Sequence, residues 1–285
     1  MDRHLLPRFR DTAGYLYTEH ARVDRDASAV VITDADGRIN VPAASLCVLF
    51  LGPGTSITHA AVGLLAEIDC LVEWVGEGSE RFYASGSAER TSGNLLQQVR
   101  LWADPQAHLA VIHWMYAYRL GQPVPAGERL EVLRGREGLR MRAAYTAAAA
   151  QHGVAWSGRS YRRDAWAATD PVNRALSAAD VALYAYCHAA ILALGFSAAL
   201  GFIHTGSTRS LVFDIADLYK AELTIPLAFA TVAEGTDDIE RRVRRVCRAA
   251  FDQVNLGSRL VTDLRAMFAI DPNAPDAEPG LWDAS

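Results

Sequence analysis

The hydrophobic pattern of this 285-residue chain changes about one third of the way along its length. Up to residue 84, short runs of β-branched and aromatic residues alternate with Gly, Pro and Asp, which is typical of strands joined by turns. From residue 94 onward, apolar residues recur every three or four positions, which indicates amphipathic helices. The sequence therefore predicts an α+β protein, in which a small β-rich domain (1–84) precedes a larger all-α-helical domain (94–270).

The predicted elements have approximate bounds. Strands are expected at 14–22, 29–33, 38–41, 45–51, 71–75 and 80–84, with one helix at 56–68. In the second domain, helices are expected near 94–103, 106–119, 127–152, 171–194, 210–220, 224–233, 237–254 and 256–269. The polar stretch 85–93 is predicted to be a linker. The tail 271–285, which has four acids and no bases, is predicted to be disordered.

Composition favours a globular cytoplasmic protein. Apolar residues make up 51% of the chain, yet no apolar run approaches the ~20 residues that span a bilayer. The charged N-terminus lacks the apolar stretch of a signal peptide. The four cysteines contain no CxxC pair, so we interpret them as buried thiols in a reducing compartment rather than zinc ligands or disulfides.

The charge is distributed unevenly along the chain. The net charge of −5 argues mildly against a nucleic-acid partner, but residues 91–200 carry a net +4. Between 134 and 163, seven arginines face a single acid, and five more arginines lie between 241 and 248. Arginine forks match phosphate oxygens bidentately, although codon bias in a GC-rich genome explains arginine usage about as well.

The segment 201–220, GFIHTGSTRSLVFDIADLYK, is unusually polar for a stretch rich enough in apolar residues to be core. Asp214 and Asp217 are three residues apart and therefore share one face of a predicted helix, while His204 precedes that helix in a turn. Buried carboxylates are unfavourable unless they are paired or bind a metal. The alternatives are aspartates paired with Arg209 or Lys220, and a structural histidine.

Glu137 is a second candidate, because it is an isolated acid among arginines and is flanked by Gly135 and Gly138. A salt-bridged surface glutamate is the plainer interpretation. Together with His204 and Asp217 it would form a set suited to Mg²⁺ or Mn²⁺, which prefer carboxylate oxygens. The spacing alone does not show that the three residues meet. Ser207 and Ser210 lie near His204 but lack a GxSxG motif, so serine hydrolysis has little support.

Four motifs together resemble those of the CRISPR-associated integrase of spacer acquisition, and most closely its type I, subtype E branch. They are LRGREGLRMRAAY, GRSYRRDAW, GFIHTGSTRSLVFDIADLYK and PGTSITHAAV…LVEWVGEGSERFYASG, and the similarity runs from about residue 11 to about residue 255. The resemblance implies a β domain followed by a catalytic α-helical domain. It also implies a metal-dependent DNA endonuclease and integrase, which joins the 3′-OH ends of a short foreign duplex to the CRISPR repeat by transesterification.

The resemblance further implies partners and residue roles. The partners are the protospacer duplex, the CRISPR repeat, a second copy of the chain, and a small ferredoxin-like protein in a 4:2 assembly; no membrane is involved. The N-terminal domain would make dimer and partner contacts. Glu137, His204 and Asp217 match the ligands of Mg²⁺ or Mn²⁺, with Asp214 as the supporting acid. The DNA-contacting positions are Arg81, Arg134, Arg142, Arg159, Tyr161, Trp166, Tyr184, Lys220, Arg241, Arg244 and Arg248.

The chain departs from the family pattern at several positions. His20 stands where close members have a tyrosine wedge, and Ser56 and Gly63 replace basic groups. Ser207 replaces a lysine, for which Arg209 could substitute. Two further interpretations stay open: a stand-alone metal-dependent nuclease that acts on branched DNA in repair, and a non-catalytic DNA-binding scaffold.

Overall fold

The computed structural model describes residues 15–76, 82–86, 92–125, 127–160 and 169–269. A β-rich region precedes a helical one, which confirms the predicted fold class. The first region also contains helix α1 (His59–Glu67). Its strands are β1 (Tyr15–Thr18), β2 (Arg22–Asp26), β3 (Ala29–Asp34), β4 (Gly37–Pro42), β5 (Val48–Leu51), β6 (Ser56–Ile57), β7 (Leu71–Val75) and β8 (Phe82–Gly86).

The strands form two four-stranded sheets, with the orders β1-β5-β7-β8 and β4-β3-β2-β6. In the first sheet, β1, β5 and β7 are parallel and β8 is antiparallel. Strand β5 is buried on both faces, so it reads as an unbroken apolar run rather than an alternating one. Its Leu49 and Leu51 pack towards α1 and the second sheet, whereas Val48 and Phe50 pack against the helical region.

The helical region is organised around one long helix. This helix, α5, packs against four others, and its N-cap Asp170 accepts a hydrogen bond from the backbone N–H of Asn173. The helices are α2 (Gly93–Ala103), α3 (Pro105–Leu120), α4 (Leu130–His152), α5 (Pro171–Ala193), α6 (Ser210–Tyr219), α7 (Thr224–Ala233), α8 (Ile239–Gln253) and α9 (Leu256–Met267).

Helix α5 is long and apolar enough to cross a membrane by length and composition, although Arg174 and Asp180 interrupt its apolar sequence. However, 72% of its most apolar window is buried inside the protein, as in the core helix of a helical domain. The four cysteines are buried thiols, as predicted.

Element boundaries correct the sequence prediction in three places. The expected strand 14–22 is two strands, because the backbone turns at His20, where φ is 51°. The expected helix 56–68 begins with the short strand β6, and Thr58 caps α1. Strand β8 extends to Gly86 and α2 begins at Gly93, so the linker is shorter than 85–93. The predicted disordered tail lies outside the described residues.

A buried hydrogen bond between a glutamate and a histidine joins the two regions. Glu73 of β7 and His188 of α5 lie 2.8 Å apart (Oε1 to Nδ1), and their side chains are only 1% and 8% exposed. Burial raises the pKa of Glu73, while the hydrogen bond with His188 acts in the opposite direction. The ring of Phe82 packs edge-on against His188. The pair therefore fixes the register between the sheet and α5.

Replacing Glu73 alone with alanine is expected to lower the free energy of unfolding by about 3 kcal/mol, because it leaves His188 buried without its acidic partner. The double variant Glu73→Leu/His188→Leu is expected to recover most of that loss, since neither polar group remains buried. Chemical denaturation monitored by fluorescence measures both values. Equal losses in the single and double variants would contradict this account.

Candidate active site

Asp214 organises the loop that carries His204. Its carboxylate is fully buried in α6 and accepts hydrogen bonds from the backbone N–H groups of Phe202 (2.6 Å), Ile203 (3.1 Å) and His204 (2.9 Å). The chain must approach closely here, because a Cβ on Gly201 would lie 2.7 Å from Ser210 Cβ. The segment between Gly201 and His204 is therefore tied to the first turns of α6.

The same carboxylate orients the imidazole of His204. His204 Nδ1 lies 2.8 Å from Asp214 Oδ1. A carboxylate only accepts hydrogen bonds, so Nδ1 carries the proton, and in the neutral ring the lone pair is on Nε2. Nε2 lies 4.0 Å from Asp217 Oδ2, and the His204 side chain is 42% exposed. The predicted sharing of one helix face by the two aspartates is confirmed, because both reach His204.

Asp217 is surrounded by cations. Lys220 Nζ lies 2.8 Å from Asp217 Oδ1, and Arg119 Nη2 lies 3.7 Å from Oδ2. Burial acts to raise the pKa of Asp217, but the neighbouring cations, Lys220 foremost, outweigh it and the pKa is lowered. The interpretation that an aspartate pairs with Lys220 is therefore correct for Asp217, although both side chains are mostly buried, 23% and 16% exposed, rather than on a solvated face.

Arg119 is a site residue that sequence reasoning missed. Its side chain is only 3% exposed at the end of α3, and Nη2 also donates to the carbonyl oxygen of Asp214 (3.0 Å). Among the described residues, its buried Nε has no hydrogen-bond partner. The sequence did contain a signal, because Arg119 is the one charged residue in the apolar run HWMYAYRL. An arginine is rarely buried without an acidic partner, so this position predicts a buried acid nearby.

Lys220 connects Asp217 to α5. Its Nζ donates to the hydroxyl of Tyr184 (2.8 Å) and lies 4.9 Å from the centre of that ring. Burial raises the pKa of Tyr184, although Lys220 acts in the opposite direction. The family resemblance implies that Lys220 contacts phosphate and that Tyr184 lies near the 3′ end. These two residues bond each other beside Asp217.

Glu137 lies on α4 and pairs with Arg140. The two N–H···O distances are 3.0 and 3.1 Å, and the Glu137 side chain is 14% exposed. Burial raises the pKa of Tyr116; Arg119 and Arg134 lower it, and Glu137 raises it. Tyr116 is therefore within electrostatic range of both Glu137 and Arg119.

The side chains fit a divalent cation in part. Asp217 Oδ2 and the Nε2 lone pair of His204 are suitable donors, and atoms 4.0 Å apart can both touch a cation at distances of about 2.1 Å. However, in the part of the chain that the structure describes, no three His, Cys, Asp or Glu side chains converge on one point. The structure thus brings two of the three predicted ligands together, while the carboxylate of Glu137 is held by Arg140.

The serine hydrolase alternative loses support. Both ring nitrogens of His204 face carboxylates. The hydroxyl of Ser210 donates to the carbonyl of Ser207 (2.8 Å), and the hydroxyl of Ser207 accepts from the backbone N–H of Arg209. The two serines therefore shape the turn before α6.

The predicted DNA-contacting residues occupy different environments. Arg134 and Arg142 on α4 and Arg241 on α8 are exposed. Arg244 is buried, which makes it a poor candidate for direct contact, and Arg248 lies over the ring of Tyr17 (4.8 Å). Arg159 donates to acceptors within the protein, on Asn173, Ser177 and Asp180. Arg81, Tyr161 and Trp166 lie outside the described residues.

The structure also shows where the residues that depart from the family pattern lie. His20 is exposed at the turn after β1, and its backbone N–H donates to the carbonyl of Pro53 (2.8 Å). Ser56 lies in β6 and Gly63 in α1. Arg209 lies over the ring of Phe213 next to the His204 turn, so a cation is available where Ser207 replaces a lysine.

Comparison with known proteins identifies the family. The family model described as CRISPR associated protein Cas1 matches residues 116–246. The chain is 52% identical over 98% of its length to the CRISPR-associated endonuclease Cas1 2 of Thermus thermophilus, of which it covers 89%. The chain belongs to the Cas1 family. It is also 39% identical to the CRISPR-associated endonuclease Cas1 of Escherichia coli, over 95% of this chain and 91% of that protein.

Solved structures agree with this assignment. The chain matches a structure described as a TtCas1–DNA complex with a TM-score of 0.77 and 53% identity, over 92% of this chain and 99% of that one. A CAS1 protein from Thermotoga maritima has the same fold at 12% identity, with a TM-score of 0.67 over 93% of this chain and 100% of that one. The chain in a Cas6-RT-Cas1–Cas2 complex has this fold too, with 17% identity and a TM-score of 0.63, over 90% of this chain and 34% of that one.

Proposed function

We propose that the chain is a divalent-metal-dependent DNA endonuclease and integrase of CRISPR adaptation. The observation that carries this proposal is the arrangement around His204, whose ring is oriented by Asp214 and whose Nε2 faces Asp217. Membership in a family of CRISPR-associated endonucleases supplies the reaction class. In strand joining, the 3′-oxygen of the incoming duplex would attack a repeat phosphate. One P–O bond forms and another breaks, which frees a 3′-OH on the repeat strand.

Glu137, His204 and Asp217 would hold Mg²⁺ or Mn²⁺ in this proposal. The bound cation would activate the attacking oxygen and neutralise charge on the phosphate. Glu137 would have to exchange its ion pair with Arg140 for the cation. Asp214 would fix the orientation and the tautomer of His204, with the proton of the neutral ring on Nδ1 and Nε2 turned towards the cation, as hydrogen-bonded carboxylates do for metal-binding histidines.

The remaining residues would bind DNA. Lys220, which bonds both Asp217 and Tyr184, would contact a phosphate, and Tyr184 would contact the 3′ end. The exposed arginines Arg134, Arg142 and Arg241 would neutralise further phosphates, so binding would weaken with salt as counterions are released. Arg248 remains a candidate from its place on α8.

The proposal includes partners and location. We expect homodimers that bridge a dimer of a small ferredoxin-like partner in a 4:2 assembly, as the family resemblance implies. The TtCas1–DNA structure and the Cas1–Cas2 complex make DNA and a Cas2-type protein the partners to test first. We expect a cytoplasmic protein, since buried thiols persist in a reducing compartment.

The decisive experiment is a strand-joining assay with metal removal. The chain and its partner are incubated with a labelled duplex and a DNA that contains the repeat. Joined product is expected with Mg²⁺ or Mn²⁺ and is expected to disappear with EDTA, because the proposed reaction needs a cation at His204 and Asp217. A duplex with 3′-dideoxy ends is the matched control, since it has the same charge and lacks the attacking oxygen.

The outcomes separate the open interpretations. Joined product in EDTA, or from the dideoxy duplex, would contradict the proposal. Cleavage of branched DNA without the partner and without preference for the repeat would favour a stand-alone repair nuclease. Metal-independent DNA binding without cleavage or joining would favour a non-catalytic scaffold.

A further inference from the structure

Gln98 of α2 is a polar side chain with no exposed surface. Its amide bonds the backbone of the loop that follows α5. Nε2 donates to the carbonyl oxygens of Ser197 (3.0 Å) and Leu200 (2.9 Å), and Oε1 accepts from the N–H of Ser197 (2.8 Å). Both amide protons and the amide oxygen of Gln98 are therefore used by this loop, which is the condition for burying such a group.

Two further side chains of α2 and α3 contact the next residues of the loop. Trp102 Nε1 donates to the carbonyl oxygen of Gly201 (3.1 Å). His108 Nε2 lies 3.0 Å from the carbonyl oxygen of Phe202, and the two rings pack with their centres 4.9 Å apart. Gln98 and Trp102 are four residues apart and therefore share one face of α2. We call Gln98, Trp102 and His108 the α2–α3 clamp.

Asp214 of α6 holds the far end of the same loop. Its carboxylate accepts hydrogen bonds from the three backbone N–H groups of residues 202–204. The two sets of contacts meet at Phe202, whose N–H donates to Asp214 and whose carbonyl oxygen faces His108. Residues 195–209, which the structure describes in full, form neither helix nor strand. The loop therefore depends on side chains from α2, α3 and α6 for hydrogen-bond partners.

The position of His204 relative to Asp217 depends on how this loop is held. Asp214 bonds the loop at its His204 end, whereas the clamp bonds the segment that leads into it. We propose that Gln98, the buried member of the α2–α3 clamp, is a positioning residue that sets His204 Nε2 opposite Asp217 for binding of a divalent cation. This inference rests on the proposed function, in which these two side chains hold that cation.

The test is Mn²⁺ binding to the full chain, measured by isothermal titration calorimetry without DNA. Gln98→Glu keeps the shape of the side chain, but a buried carboxyl group has at most one O–H donor in place of two N–H donors. We expect it to weaken Mn²⁺ binding about tenfold, the range found for residues that support metal ligands. Trp102→Phe removes one donor from a side chain that is 41% exposed, and should weaken Mn²⁺ binding about threefold.

Asn94→Asp is the matched control, because it makes the same amide-to-acid change one turn earlier on α2. Asn94 Nδ2 donates to the carbonyl oxygen of Leu194 (2.8 Å), which precedes the clamped loop, so Mn²⁺ affinity should stay within twofold of the wild type. Unchanged Mn²⁺ affinity in Gln98→Glu, or an equal loss in Asn94→Asp, would overturn the proposal. If Gln98→Glu fails to fold, Trp102→Phe decides the question, and wild-type Mn²⁺ affinity in that variant would overturn the proposal.

A metal-free measurement separates this inference from the proposed function. If the wild type binds no Mn²⁺, the proposed metal site is wrong, and the clamp is then tested by hydrogen–deuterium exchange at the N–H groups of residues 202–204. These groups bond Asp214 rather than Gln98, so they report whether the clamp acts on the His204 end of the loop. We expect exchange about tenfold faster in Gln98→Glu than in Asn94→Asp. Equal exchange rates in the two variants would show that Asp214 alone places His204.

Discussion

Asp217→Asn is expected to lower the rate of strand joining about a thousandfold while duplex DNA still binds. The substitution removes the carboxylate that faces His204 Nε2 but keeps a polar group for Lys220 and Arg119. A catalytic cation supplies several kcal/mol of transition-state stabilisation, and about 4 kcal/mol corresponds to a factor of a thousand. Single-turnover joining of a labelled duplex measures the rate, and a gel-shift titration measures binding.

The matched control is Glu222→Gln, which neutralises an acid just beyond α6. Glu222 pairs with Arg259 at the surface (2.7 Å), so its loss should change the joining rate less than twofold. A wild-type rate in Asp217→Asn would rule out Asp217 as a ligand. A parallel loss of duplex binding would show that the substitution acts through the fold or the DNA surface.

Asp214→Asn is expected to lower the free energy of unfolding by about 4 kcal/mol and to abolish strand joining. The Asp214 carboxylate accepts four hydrogen bonds, two on each oxygen. Three come from backbone N–H groups and one comes from His204 Nδ1. An asparagine has only one accepting oxygen, and its NH₂ group would face two of the four donors. Those two donors would lose their acceptor. Each unsatisfied buried group costs roughly 1–3 kcal/mol. Chemical denaturation measures the loss.

Asp104→Asn is the control for this substitution type. Asp104 caps α3 by accepting a hydrogen bond from the N–H of Ala107 (2.7 Å), and asparagine caps helices about as well as aspartate. Its free energy of unfolding should change by less than about 0.5 kcal/mol. A similarly small change in Asp214→Asn would contradict the role of Asp214 in holding the His204 loop.

The sequence predicted the helices well because their apolar residues follow a long, regular period. The bounds expected for the segment 224–233 match α7 fully, and those for 171–194 differ from α5 by one residue. The strands were less predictable. The turn at His20 splits one expected strand because a non-glycine residue adopts a positive φ there, and its turn is held by a backbone hydrogen bond to Pro53. That bond depends on a segment more than thirty residues away.

The local half of the site follows from the order of residues along the chain. The spacing of Asp214 and Asp217 places both on one helix face, and the turn before α6 brings His204 to them; these relations span fewer than fifteen residues. Only the tertiary structure decided the other half. Packing of α3 and α5 against α6 brings Arg119 to Asp217 and Tyr184 to Lys220. Helix periodicity specifies which residues share a face, but which faces meet depends on core packing between segments far apart in the chain.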